Sequence, residues 1–112
     1  MTGLQVTEKQ FMAQVIQLAK LKNWLVYHTF SSIKSSSGFP DLVLVKPERT
    51  LKDGTHVPGR VIFAELKTER GKVSPSQHEW LRTLSSASEV HTYLWRPSDF
   101  GEIEEALKGE SC

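Results

Sequence analysis

Apolar residues recur at three- and four-residue steps from about Thr7 to Lys22. Phe11, Val15, Leu18, Ala19 and Leu21 make the stripe, and Met12 and Ile16 widen it. That period predicts a one-sided helix with this stripe turned to a core. Thr7 followed three positions later by Gln10 reads as a capping box at its start. The pattern changes at Trp24–Phe30, an aromatic and β-branched run too short for a second helix, which predicts a strand. Ser31 to Gly38 holds five serines with Lys34 and is expected to be an exposed connection. Phe39-Pro40-Asp41 then leads into Leu42-Val43-Leu44-Val45, whose unbroken apolar run predicts a central strand covered on both faces. Lys46 to Gly59 is polar, with two prolines and the Asp53-Gly54 pair, and is expected to be a long loop.

A third strand is expected from Arg60 to about Lys67, followed by a short turn, Glu69 to Val73, around Gly71. Ser74-Pro75 looks like an N-cap with proline in the first helical position, and Trp80, Leu81 and Leu84 supply the buried stripe of a second helix. Val90–Trp95 predicts a fourth strand. Pro97-Ser98 opens a last helix with Phe100, Ile103 and Leu107 inward and Glu102, Glu104 and Glu105 outward. The order αβββαβα describes an α/β protein, and 112 residues fit one domain over 1–112.

Composition narrows this picture only a little. At 38% hydrophobic and 24% charged the chain is ordinarily globular. Fourteen Lys+Arg against thirteen Asp+Glu leave a formal charge of +1, so bulk charge names no polyanionic partner. A local basic surface would still suffice for one. Apolar runs of four or five residues fall far short of a bilayer span, and Met1-Thr2-Gly3 opens no signal peptide. The lone Cys112 excludes a disulfide framework and a Cys-based zinc site. A soluble, cytoplasmic protein is expected.

Chemistry is suggested where charged residues meet strand ends. Asp41 stands at the mouth of the Leu42–Val45 run, and Glu65 and Lys67 interrupt Val61–Lys67. Side chains alternate along a strand, so Ile62, Ala64 and Leu66 face one way while Val61, Phe63, Glu65 and Lys67 face the other. The carboxylate and the ammonium then share a face about 7 Å apart. If the second and third strands are neighbours, Asp41 reaches the same spot. Two hard oxygen donors suit Mg²⁺ or Mn²⁺ beside a phosphate. Such an ion lowers the pKa of water and offsets phosphoryl charge, and a nearby lysine can hold the water or the phosphoryl group. Phosphodiester hydrolysis fits this set better than acyl transfer, because no serine or cysteine nucleophile adjoins a histidine and an acid.

Gly38-Phe39-Pro40-Asp41, followed about two dozen positions later by Glu65-Leu66-Lys67, resembles the PD-(D/E)xK nuclease pattern. The continuation Lys72-Val73-Ser74-Pro75-Ser76-Gln77-His78-Glu79-Trp80-Leu81 resembles the motif of the VRR-NUC branch, and the likeness spans roughly residues 5 to 98. The resemblance implies a restriction-endonuclease-like αβββαβ core with a central mixed four-stranded sheet flanked by helices. It also implies Mg²⁺-dependent cleavage of DNA. By the same resemblance Asp41, Glu65 and the carbonyl of Leu66 would bind the metal, Glu8 matches an acidic position near it, Lys67 would position or activate water, and Gln77 would support the site. Stand-alone relatives resemble Holliday-junction resolvases of the phage or bacterial type that work as homodimers.

Blander readings compete with several of these assignments. Asp41 after proline is also a common turn cap, and Glu65 with Lys67 is also a plausible solvated edge pair. Gln77 completes S-x-x-Q and could simply close a capping box, although it also falls on the core-facing stripe with Trp80, Leu81 and Leu84. Glu8 in the first turn suits the helix dipole without any metal. The four histidines are scattered. His78, with Lys34, Arg70, Lys72 and Arg82, is a candidate for gripping phosphates. Trp24, Trp80 and Trp95 are read as core. The expected function is a structure-selective DNA endonuclease. The alternatives are a flap- or nick-directed nuclease of a replication or repair complex and a non-catalytic DNA-binding module.

Overall fold

The computed structural model describes residues 6–29 and 37–108. Helix α1 spans Glu8–Leu21, and Thr7 caps it as expected: its hydroxyl accepts from Gln10 N at 3.0 Å while its own N donates to Gln10 Oε1 at 3.0 Å. Phe11, Val15 and Ala19 are fully buried. Leu21, expected to face inward, is 73% exposed, because it lies two positions, about 200° around the helix, from Ala19. Asn23, in the left-handed region at φ 71°, swings the chain off α1 into β1 (Leu25–His28). Trp24 is buried there and donates from Nε1 to the Leu107 carbonyl at 2.8 Å.

Strand β2 spans Leu42–Lys46 and β5 spans Arg60–Leu66. The stretch between them is not the plain loop expected from its polarity. Arg49–Thr50 (β3) and His56–Val57 (β4) form a two-stranded antiparallel ribbon closed by the Asp53-Gly54 turn. Its turn is held by Asp53 Oδ1 accepting from Thr55 N at 2.9 Å and by Gly54 at φ 91°. Two-residue strands are too short to show an alternation. Helix α2 (Pro75–Ser85), β6 (His91–Trp95), a single 3₁₀ turn (Pro97–Asp99) and α3 (Phe100–Leu107) complete the chain.

The main sheet is four-stranded and mixed, in the order β1-β2-β5-β6. β1 pairs with β2, and β2 with β5, in antiparallel fashion, while β5 and β6 are parallel and joined through α2. α1 and α3 cover one face, over a core of Phe11, Val15, Ala19, Trp24, Leu42, Leu44, Ile62, Ala64, Leu66, Trp95, Ile103 and Leu107. Fully burying each large member of that set contributes about 1.5–3 kcal/mol.

β2 is central, as expected, but it is not covered equally on both faces. Leu42 and Leu44 are buried, Val43 is half-buried and Val45 is exposed. α2 sits over the β5–β6 half of the second face, and among the described residues no helix covers the β1–β2 half. For the same reason Trp80, Leu81 and Leu84 are only half-buried, and no residue of α2 is fully buried. Trp80 instead meets Phe39 edge-to-face at 5.0 Å, and Phe39 meets Phe63 at 6.0 Å. Among the described residues no helix is long and apolar enough to cross a membrane.

Candidate metal centre

Asp41 is fixed by its neighbours on β1 and β5. The Thr29 hydroxyl donates to the Pro40 carbonyl at 2.9 Å, and Thr29 N donates to the Asp41 carbonyl at 2.8 Å. Antiparallel pairing sets Leu42 against Ala64, so continuing that register brings Asp41 opposite Glu65. Directly opposed side chains in such a ladder stand about 4.5–5.5 Å apart at Cβ. The Asp41 carboxylate then reaches across the end of β5, where Oδ2 accepts from Leu66 N at 2.8 Å.

Glu65 points to the face that carries Phe63 and α2, and it is 2% exposed. Gln77 Nε2 donates to Glu65 Oε2 at 2.8 Å, and Lys67 Nζ stands 3.8 Å from the same oxygen. The other end of the Gln77 amide accepts from Ser74 N at 2.8 Å, and the Ser74 hydroxyl accepts from Gln77 N at 3.2 Å. Both readings of Gln77 are therefore met by one side chain: it closes the capping box of α2 and bonds the buried acid. The box also orients the amide, since the oxygen committed to Ser74 N leaves the NH₂ group toward Glu65.

The electrostatics of this corner are uncomfortable for two carboxylates. Burial pushes the Glu65 carboxyl up to about 8, and the charges of Asp41 and Glu8 push the same way while Lys67 opposes them. Burial also raises Asp41, against the Leu66 amide, the Glu65 carboxyl and Lys67. A buried acid and a half-buried one beside a single amine remain one positive charge short when both are ionised, and a buried charge needs compensation.

Whether a divalent cation suits the corner can be judged from Glu65 itself. Its Oε1 is buried and meets no N–H or hydroxyl donor, although most buried polar atoms have a partner. Without a cation, the Asp41 and Glu65 carboxyls are close enough to share a proton. An orphaned carboxylate oxygen next to a second carboxylate is a hard-donor set of the kind Mg²⁺ and Mn²⁺ accept. The residues present fit such an ion. Among the described residues no three His, Cys, Asp or Glu side chains cluster tightly enough to enclose one, so the carboxylates converging here are the Asp41–Glu65 pair. Glu8, exposed on the first turn of α1, acts on Glu65 through its charge.

The sequence-predicted phosphate contacts are more dispersed. Arg70 and Lys72 are exposed on either side of Gly71, just beyond Lys67, and His78 is exposed next to Gln77. Arg82 is exposed farther along α2. Lys34 lies outside the described residues. His28, His56, His78 and His91 occupy separate elements, and His56 pairs with Glu48 at 3.3 Å.

Sequence reasoning missed the partners that brace this corner. Trp80 Nε1 donates to the Ser37 carbonyl at 3.1 Å, and the Ser37 and Ser76 hydroxyls lie 3.1 Å apart, fastening α2 to the turn before Asp41. Arg96, which no spacing rule singles out, donates to carbonyls of the turn after Lys67.

The family model of the VRR-NUC domain matches residues 5–95. A solved structure described as a VRR_NUC domain protein superposes with a TM-score of 0.67 at 16% identity, covering 96% of this chain and 93% of that one. At that identity the likeness speaks for the fold. No curated protein matches the chain.

Proposed function

Because the chain belongs to the VRR-NUC family, whose domain implies a nuclease-type function on DNA, we propose that it is a metal-dependent endonuclease. Its active centre is the Asp41–Glu65–Lys67 corner. The observation that carries this reading is the 2%-exposed Glu65 with its unpartnered Oε1, set beside a second acid and a lysine.

Asp41 and Glu65 would hold the ion, with the Leu66 carbonyl as a further donor by family resemblance. A bound Mg²⁺, or Mn²⁺ in its place, supplies charge compensation at the scissile phosphoryl group and acidifies water. Lys67 carries a flexible point charge, 15% exposed at its side chain, from which Nζ donates to the attacking water or to a phosphoryl oxygen. Gln77 occupies Glu65 Oε2 and would leave Oε1 to the ion. Glu8 adds negative potential that favours a cation. Arg70, Lys72 and His78 are exposed around the same end of the sheet and would contact phosphates on either side of the cut.

Branched DNA, such as a four-way junction, is the proposed substrate, by the resemblance of the 38–41, 65–67 and 72–81 motifs to stand-alone relatives of the Holliday-junction resolvase type. Symmetric cutting of two strands requires two sites, and a twofold homodimer is the commonest way to supply them. Edge strand β1, with Leu25 and Tyr27 standing 72% and 61% exposed, favours association on that side. The test is incubation of the folded protein with labelled junction, fork, flap, nicked duplex and single-stranded DNA, with Mg²⁺ or Mn²⁺. Junction cleavage in preference to the others is expected. No cleavage of any of them would overturn the enzyme assignment, and preference for a flap or nick would replace the substrate.

A further inference from the structure

Lys67 leaves the end of β5 with its backbone N donating to the Trp95 carbonyl at 3.0 Å. The chain then turns at once through Thr68–Gly71, where Gly71 N donates to the Thr68 carbonyl at 3.1 Å. This turn has no apolar residue to anchor it. Its anchor is Arg96, whose Nη1 lies 2.6 Å from the Thr68 carbonyl, 3.2 Å from that of Glu69 and 2.8 Å from that of Gly71. The same corner is clipped a second time by the Glu69 carboxylate, which accepts from Ser98 N and, at 3.0 Å, from the Ser98 hydroxyl.

The turn in turn bounds Lys67. A Cβ added at Gly71 would stand 3.3 Å from Lys67 Cδ and 3.1 Å from Thr68 Oγ1, so the lysine stem lies along the Gly71 backbone. The position of that wall therefore limits where Nζ comes to rest, 3.8 Å from Glu65 Oε2. A guanidinium suits the anchoring task because it stays charged and offers several fixed donors to carbonyl oxygens.

We propose that Arg96, backed by the Glu69–Ser98 clip, is a positioning residue that sets the place of the Lys67 ammonium through the 68–71 turn. This inference rests on the nuclease reading for its catalytic consequence, but not for its structural one. Misplacing a reacting group by about 1 Å costs on the order of a hundredfold in rate. Arg96→Ala is accordingly expected to lower the single-turnover cleavage rate constant by between about tenfold and a hundredfold. Mn²⁺ affinity should stay within about threefold of wild type, because Asp41 and Glu65 are held by other partners. The rate constant is read at saturating protein, so that a change in DNA affinity through Arg70 on the same turn does not enter it. Arg96→Lys recovers part of the rate. Gly71→Ala and Glu69→Gln, which leave Arg96 in place, should each slow cutting in the same pattern, and they serve if Arg96→Ala does not fold.

Reductive methylation of Lys67, followed by peptide mass spectrometry, reads the position of the ammonium without any substrate. Faster labelling of Lys67 in folded Arg96→Ala or Glu69→Gln, with other lysines unchanged, upholds the proposal even if the wild type cuts no DNA. Unchanged labelling, or cleavage at the wild-type rate in these variants, overturns it. A rate loss that merely tracks lost metal affinity or lost folded fraction overturns it as well.

Discussion

Glu65 is the residue at which the electrostatics of the corner concentrate. Its carboxyl is raised from 4.5 to about 8, chiefly by burial and then by Asp41. Between those two values the folded chain holds a proton at this position that the unfolded chain has released. The contribution to stability is therefore largest below about 4.5 and is lost as pH rises through about 8 in the metal-free protein. A cation competes with that proton, so the thermal shift produced by saturating Mn²⁺ should grow from pH 6 to pH 8. Melting curves at the two pH values, with and without Mn²⁺, check this, and an equal shift at both would show that Glu65 is not where the ion acts. Lys67 is tested separately. Lys67→Ala should reduce cleavage by about 10² or more, the scale of losing one electrostatic stabiliser, while Mn²⁺ affinity and melting temperature change little.

At the scale of elements, the site depends on how α2 is seated. Gly38 has φ 87°, and a Cβ there would lie 2.6 Å from Ser76 C and 2.7 Å from Ser76 O. The turn before Asp41 and the first turn of α2 thus touch backbone to backbone. Gly38→Ala is expected to cost about 1–3 kcal/mol in urea unfolding, and to lower metal affinity as Gln77 is drawn off Glu65. Retained stability and affinity would mean that α2 is free to shift.

Much of this arrangement was legible beforehand. Alternation along Val61–Lys67 put Glu65 and Lys67 on one face, the Thr7–Gln10 and Ser74–Gln77 spacings marked two capping boxes, and the apolar runs located the four sheet strands. What escaped had physical reasons. The β3–β4 ribbon is two residues wide in each strand, below the length at which a period exists. α2 shows a proper apolar stripe, yet it covers only part of a sheet face and so buries it incompletely. Arg96 acts on a turn 25 to 28 residues away, a separation that no local pattern encodes.

For the whole molecule, a formal charge of +1 hides an uneven surface. Arg70 and Lys72 are exposed just beyond Lys67, so on the proposed reading attraction for DNA is local rather than general. If both contact phosphates, the double variant Arg70→Gln/Lys72→Gln should weaken junction binding and reduce the slope of log affinity against log salt by about one unit per lost contact. Titrations at several salt concentrations give that slope directly, and an unchanged slope would move the DNA path elsewhere. The mixed sheet with α1 and α3 on one face holds the acids on rigid strand ends, whereas Lys67 and its basic neighbours lie on the turn beyond them. On the proposed reading, binding the ion and gripping the DNA would fall to structurally separate parts of one end of the sheet.

The most direct measurement is calorimetric titration of Mn²⁺ into the wild type, Asp41→Asn and Glu65→Gln at neutral pH, with folding verified for each. The expected result is a saturable isotherm for the wild type and affinity weakened by at least about tenfold in both variants, or about 1.4 kcal/mol. Equal affinity in all three proteins, or no binding by the wild type, would contradict the account.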